Sequence, residues 1–237
     1  MRLLVTRPIE DAESLASVLR ARGHQPLLAP MMEVSYQAGP PLALEGVQAV
    51  LATSANGVRA FALRTPERNL TLYAVGPQTA EAARDAGFPA VISAEGDASA
   101  LVETVAREAD PQKGLLLHAA GAETAGRLRQ ALQARGFAAE TVVLYDAVPV
   151  NSLPRAAAEA LHTAALDGVL LFSPRSAKIF AALVTEAELA AACARLTAFC
   201  ISTATAAALT ALSFARVSVA GAPNQDAMLE LIPSPVS

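Results

Sequence analysis

VGPQTAEAARDAGF, residues Val75 to Phe88, returns in altered form as ISTATAAALTALSF, Ile201 to Phe214. Each copy runs from an apolar strand through a turn of small residues and a hydroxyl into an Ala-rich segment that closes on Phe. Thr79 and Thr205 stand 126 positions apart, and at the same offset Val75 meets Ile201, Ala80 meets Ala206 and Phe88 meets Phe214. The echo extends outward. TSANGVRAF at 53–61 answers SPRSAKIF at 173–180, and with a one-residue shift DASALVETV at 97 answers NQDAMLELI at 224. The first 30 residues have their own echo at an offset of 113, LLVTRP against LLHAAG and ARGH against ARGF. A repeated strand–turn–helix unit of this kind predicts a duplicated βα fold.

Short apolar runs without period-two polarity recur along the chain, ten of them, from RLLVT at 2–6 to RVSVA at 216–220. Helical patterns separate most of them. DAESLASVLRARG puts Leu15, Val18 and Leu19 on one face before Gly23 ends it. Alternating β and α with continuously apolar strands means α/β architecture, parallel sheets covered on both faces, about five strands in each of two domains. With 237 residues, 53% of them apolar, the chain can bury one large core or two of ordinary size. The residues by themselves leave open whether the domains are two consecutive halves.

Charge and composition exclude several classes. The formal charge of -4 comes from interspersed acids and bases with no block of like sign, which argues against nucleic acid or an anionic membrane as partner. Leu196 to Ala215 carries no charge over 20 residues, but its serines and threonines, and the charged counterpart earlier in the chain, read as a buried strand followed by a buried helix. The N-terminal MRLLVTRP reads as a first strand and not a signal peptide. Cys193 and Cys200, without CxxC spacing, read as buried hydrophobes of a reducing compartment. GAETAGRL at 121–128 has P-loop glycine spacing but Arg127 and Leu128 where Lys and Ser/Thr are required. No GxGxxG follows the first strand, no HExxH or carboxylate cluster surrounds His24, His118 or His162, and no GxSxG elbow appears. No cofactor and no metal are expected.

What remains are the turns. Each sits at the carboxyl end of a strand and the amino end of a helix, where free N–H groups and the helix dipole face outward and suit an anion. Ser54, Gly76, Ser173 and Ser202 let a ligand approach the backbone, and Thr79 and Thr205 add hydroxyls. Two domains presenting such ends would form a cleft for an anionic ligand. The plain alternative is that these residues are N-caps only.

Taken in order, LVTRP, TSANGVRAF, VGPQTAEAARDAGF, LLLHAAG, LYDAVP, FSPRSAKIF and ISTATAAAL resemble the uroporphyrinogen-III synthase family over nearly the whole chain. The resemblance implies two flavodoxin-like domains joined by a two-stranded linker: residues 1–33 with 151–237, residues 37–145, and linker segments 34–36 and 146–150. It implies cofactor-free closure of the linear tetrapyrrole hydroxymethylbilane to uroporphyrinogen III, with loss of water and inversion of the last pyrrole ring. Eight substrate carboxylates would suit many amides and few lysines. The pyrrole nitrogen expels the hydroxyl, and the azafulvene cation reacts through a spiro intermediate. Tyr145, in LYDAVP, matches the family's tyrosine important for that step, and a phenol protonated at neutral pH can serve as donor. Thr79 and Thr205 match the threonines of the family's two turns, although Ser202 and Thr203 replace Gly and Pro in the second. Arg7, Arg59 and Arg175 sit beside strand ends, where Arg7 and Arg175 are expected to meet carboxylates and Arg59 to be solvated; His118 is a candidate to line the cleft. The expected setting is a cytoplasmic monomer touching the enzyme that makes its substrate only transiently. A binding module of the same fold, closing on an anion or tetrapyrrole without chemistry, is the competing reading.

Overall fold

The computed structural model describes residues 1–123 and 127–234, so residues 124–126 of the P-loop-like stretch lie outside it. The chain divides into two compact units, Met1–Glu33 with Val148–Ser237, and Val34–Ala147.

The discontinuous unit is built on β1 (Arg2–Val5), β2 (Gln25–Leu28), β9 (Gly168–Leu171), β10 (Thr197–Cys200) and β11 (Arg216–Val219). They form one sheet in the order β11-β10-β9-β1-β2, every pair parallel. Strand residues alternate between two cores. Leu3, Val5, Leu170 and Phe199 pack with α1 (Ile9–Ala21) and α9 (Gln225–Glu230). Leu4, Val169, Leu171, Ala198 and Cys200 pack on the other side with α6 (Arg155–His162) and α7 (Pro174–Glu186). Burial on both faces is why these strands read as unbroken apolar runs. Cys193, in a 3-10 helix over Ala190–Arg195, and Cys200 are fully buried free thiols, and burial pushes both up to about 11.

The continuous unit holds β3 (Met32–Tyr36, entering from the other unit), β4 (Val47–Ala52), β5 (Thr71–Ala74), β6 (Val91–Ser93), β7 (Leu115–Gly121) and β8 (Ala139–Pro149). Its sheet runs β3-β8-β7-β4-β5-β6, with β8-β7, β7-β4, β4-β5 and β5-β6 parallel. Val50, Ala52, Leu72, Ala74, Leu117 and Ala119 face α2 (Ala55–Arg64) and α3 (Pro77–Asp85). Ala49, Leu51, Tyr73 and Leu116 face α4 (Ala98–Glu108) and α5 (Arg127–Gln133).

The sequence echoes become one spatial pattern here. The 126-residue offset carries β5 and β6 onto β10 and β11, an offset of 119 carries β4 onto β9, and the 113-residue offset carries β7 and β8 onto β1 and β2. Both sheets then have the same order: β6-β5-β4-β7-β8 and β11-β10-β9-β1-β2. The wiring is shared and the chain enters it at a different strand, which is why β7 and β8 match strands before them while β4, β5 and β6 match strands after them.

Two features depart from the expectations. Strands number eleven among the described residues, because β3 adds a sixth to the second sheet. The Ala-rich segment after Ser202 makes only a five-residue helix, α8 (Thr203–Ala207), before breaking into turns. Its Thr and Ser residues favour competing local hydrogen bonds over helix, whereas Glu81, Arg84 and Gln78 in the first copy do not. Leu209 and Leu212 are buried all the same. No helix of the described residues is long and apolar enough to cross a membrane.

Candidate active site

In both units the predicted turn residues stand where strands end and helices begin. Ser54 is the N-cap of α2 and accepts from the Gly57 amide at 3.1 Å. Ser173 caps α7 through the Ser176 amide at 3.0 Å, and Ser202 caps α8 through Thr205 at 3.3 Å. Gly76 caps α3 with no side chain, leaving open space where a Cβ would stand, and Pro77 follows at N1. Its backbone is extended, as is that of Ser202, so the Gly-to-Ser exchange in the second copy is accommodated without strain. Thr79 and Thr205 are buried one turn into their helices, and the Thr205 hydroxyl lies 3.0 Å from Ser202 Oγ.

Among the described residues, Ser54 alone of these caps has a second partner from a distant strand. Its Oγ lies 2.7 Å from the phenol oxygen of Tyr145 on β8. The contact depends on an irregularity invisible in the sequence. Along β8, Val142 and Leu144 face the α2–α3 core, so an unbroken strand would send Tyr145 to the opposite face. Between β7 and β8 the register shifts: Ala120 pairs with Val143, but Gly121 pairs with Tyr145. The extra residue turns Tyr145 to the same face as Leu144, toward the N-terminus of α2. Its ring then lies against Gly121, where a Cβ would come within 2.7 Å of it, and the Ala122 amide donates to the Tyr145 carbonyl at 3.1 Å. Helix α2 is seated with equal closeness, since a Cβ on Gly57 would fall 2.5 Å from the Ala119 carbonyl oxygen. Tyr145 is 7% exposed. Burial raises its pKa above that of a free phenol, and the Ser54 hydrogen bond pulls it back down.

His118 lies on β7 facing the other core, 1% exposed, with Nε2 3.3 Å from Thr53 Oγ1. Its Nδ1 has no partner among the described residues, and neither does Oγ1 of Thr141, its cross-strand neighbour. Burial pushes the imidazole down to about 4, so it is neutral at physiological pH. It supports the residue before Ser54 from behind and does not line a surface.

In the discontinuous unit, Arg7 is 7% exposed and its guanidinium lies 4.6 Å over the Phe172 ring, donating to Asp11 at 3.2 Å and to Gln225 at 3.1 Å. It braces β1 against α1 and α9. Arg175 is half-buried at the second position of α7. Arg59 is half-buried and donates to Asn56 at 2.9 Å. No group of His, Cys, Asp and Glu able to hold a metal occurs among the described residues.

No curated protein matches the chain. Among solved structures it is similar to the uroporphyrinogen-III synthetase of Helicobacter pylori, at 21% identity and a TM-score of 0.62 over 98% of each chain. It is also similar to a mutant uroporphyrinogen III synthase of Thermus thermophilus, at 20% identity and a TM-score of 0.52 over 97% of this chain and 96% of that one. At those identities the likeness speaks for the fold. The family described as "Uroporphyrinogen-III synthase HemD" matches residues 13–230, a span that takes in every cap described above and Tyr145. By that match the chain belongs to the uroporphyrinogen-III synthase family and is an enzyme with a cyclising role in tetrapyrrole biosynthesis.

Proposed function

We propose that the chain converts hydroxymethylbilane to uroporphyrinogen III, with loss of water and inversion of ring D, and that Tyr145 donates the proton that lets the hydroxyl leave as water. The observation that carries this reading is the Tyr145 phenol held 2.7 Å from Ser54 at the N-terminus of α2. A buried phenol stays protonated at neutral pH, the state a donor needs. The helix starts at Ser54, Gly76 and Ser173 suit substrate carboxylates, with Thr79 beside Gly76 and Arg175 beside Ser173. Ser202 and Thr205 cap a shorter helix and offer the same chemistry on a smaller scale. Arg7 serves the reaction through its brace on α1 and α9, and His118 through Thr53. We read the two compact units as domains linked through 34–36 and 146–150, and the protein as a cytoplasmic monomer.

The test is product analysis. Freshly generated hydroxymethylbilane is supplied to the purified protein, and the cyclised isomers are separated after oxidation. The type III isomer is expected to dominate. Type I alone, the isomer of spontaneous closure, would reduce the chain to a binding module of this fold. Tyr145→Phe is expected to lower kcat about 10²-fold, the scale of one lost proton donor, with KM little changed.

A further inference from the structure

The hydroxyl facing Tyr145 has only one proton to place. Ser54 Oγ uses one lone pair on the Gly57 amide. Around the first turn of a helix the neighbouring backbone groups are N–H donors, so acceptors for the Ser54 proton are scarce. The Tyr145 oxygen at 2.7 Å is such an acceptor. Were the bond reversed, Ser54 Oγ would accept from both Gly57 and Tyr145, and its own proton would need a third partner.

We propose that Ser54 donates to the Tyr145 oxygen, and is thereby the positioning residue of the proton donor and not a ligand of the substrate. This rests on the reading of Tyr145 as the donor. With its oxygen held by Ser54 and its ring against Gly121, the phenol keeps its own proton free of Ser54. The arrangement also holds the product of proton transfer. As the C–O bond of the substrate breaks, the Tyr145 proton joins the departing oxygen to make water, and the O–H electron pair stays behind as phenolate. Ser54 O–H and the α2 N-terminus then face a full negative charge, the partner both suit best. Once ring closure is complete, the carbon that took the new bond loses its proton to the phenolate and Tyr145 is restored. One residue acts as acid and then as base, and no separate base is needed.

The experiment combines Ser54→Ala and Ser54→Thr, each alone and together with Tyr145→Phe. Two readouts are taken: steady-state kinetics, and an ultraviolet titration of the Tyr145 phenol obtained by difference from Tyr145→Phe. Ser54→Ala is expected to lower kcat about tenfold with KM within twofold, the scale of one hydrogen bond to a charged group. The phenol should titrate at higher pH, because the ionised form has lost its donor. Ser54→Thr should restore both, and Ser54→Ala should add nothing once Tyr145 is Phe. Should Ser54→Ala fail to fold, Ser54→Gly takes its place, glycine being tolerated at the cap. A phenol titration unmoved or shifted downward, a rise in KM with kcat intact, or a loss that persists beside Tyr145→Phe would each overturn the proposal. If the wild-type protein yields only the type I isomer, the cyclase reading falls, while the titration still decides whether Ser54 donates.

Discussion

Gly121 and His118 show how single positions govern the site from opposite faces of β7. Gly121→Ala would set a methyl 2.7 Å from the Tyr145 ring, which can escape only by leaving Ser54. We expect kcat to fall toward that of Tyr145→Phe, with stability reduced by about 1–3 kcal/mol as the β7–β8 register adjusts. His118 acts on stability through pH. Its folded pKa of about 4 lies below the unfolded value of 6.5, so only the unfolded chain takes up a proton between the two. The contribution of the neutral ring is therefore intact above pH 6.5 and lost as pH falls toward 4, approaching about 3 kcal/mol. Thermal melts from pH 7 to pH 4 should show this decline, and His118→Gln should flatten it. His24, held low by burial and by the nearby N-terminus, acts in the same direction. Ser54 and His118 were candidates by their places at strand ends, and Tyr145 by the family resemblance. The sequence could not say that Ser54 and Tyr145 meet across 91 positions, or that His118 turns inward, because a partner strand decides the facing of each.

Elements were more legible than their ends. Strands buried on both faces betray themselves as apolar runs, and Gly23, Gly87 and Gly136 mark the stops of α1, α3 and α5 with positive φ. At each, the glycine amide returns to a carbonyl of the last turn and the next amide reaches back one residue further. Helices α6 and α7 stop the same way without glycine. Ala164 (φ 55) donates to Leu161 and Glu188 (φ 58) to Thr185, with Ala165 and Leu189 completing the pattern. Ala164→Gly and Glu188→Gly should each stabilise the protein by about 0.5–1 kcal/mol, measured as raised denaturation midpoints with unchanged slope. Loss at either would mean that the left-handed backbone carries no strain. The β8 bulge left no such mark. It inserts no glycine and breaks no apolar run, and only the register against β7 reveals it.

At the scale of the molecule, the sequence offsets were the legible sign of two sheets wired alike, and the entry strand was what they left unsaid. Each unit owns a full sheet and cores on both faces of it. Residues 34–147 alone are therefore expected to fold and melt cooperatively by circular dichroism. The other unit should do so when Glu33 is joined to Val148 by a short Gly/Ser linker, since the Val150 amide already donates to the Met31 carbonyl at 3.1 Å. A non-cooperative melt of either piece would show that it depends on the other.

The shared wiring entered at different strands sets an order of events on the ribosome. By the time Ala147 has been made, the second unit has every strand of its sheet, whereas the first has only β1 and β2. The flank of β1 that belongs to β9 stays open until translation has passed Leu171, with Leu3, Leu4 and Val5 exposed beside it. Throughout that interval the earlier-made strands of the first unit are less protected than the completed second sheet, an edge on which a chaperone would act or misassembly begin.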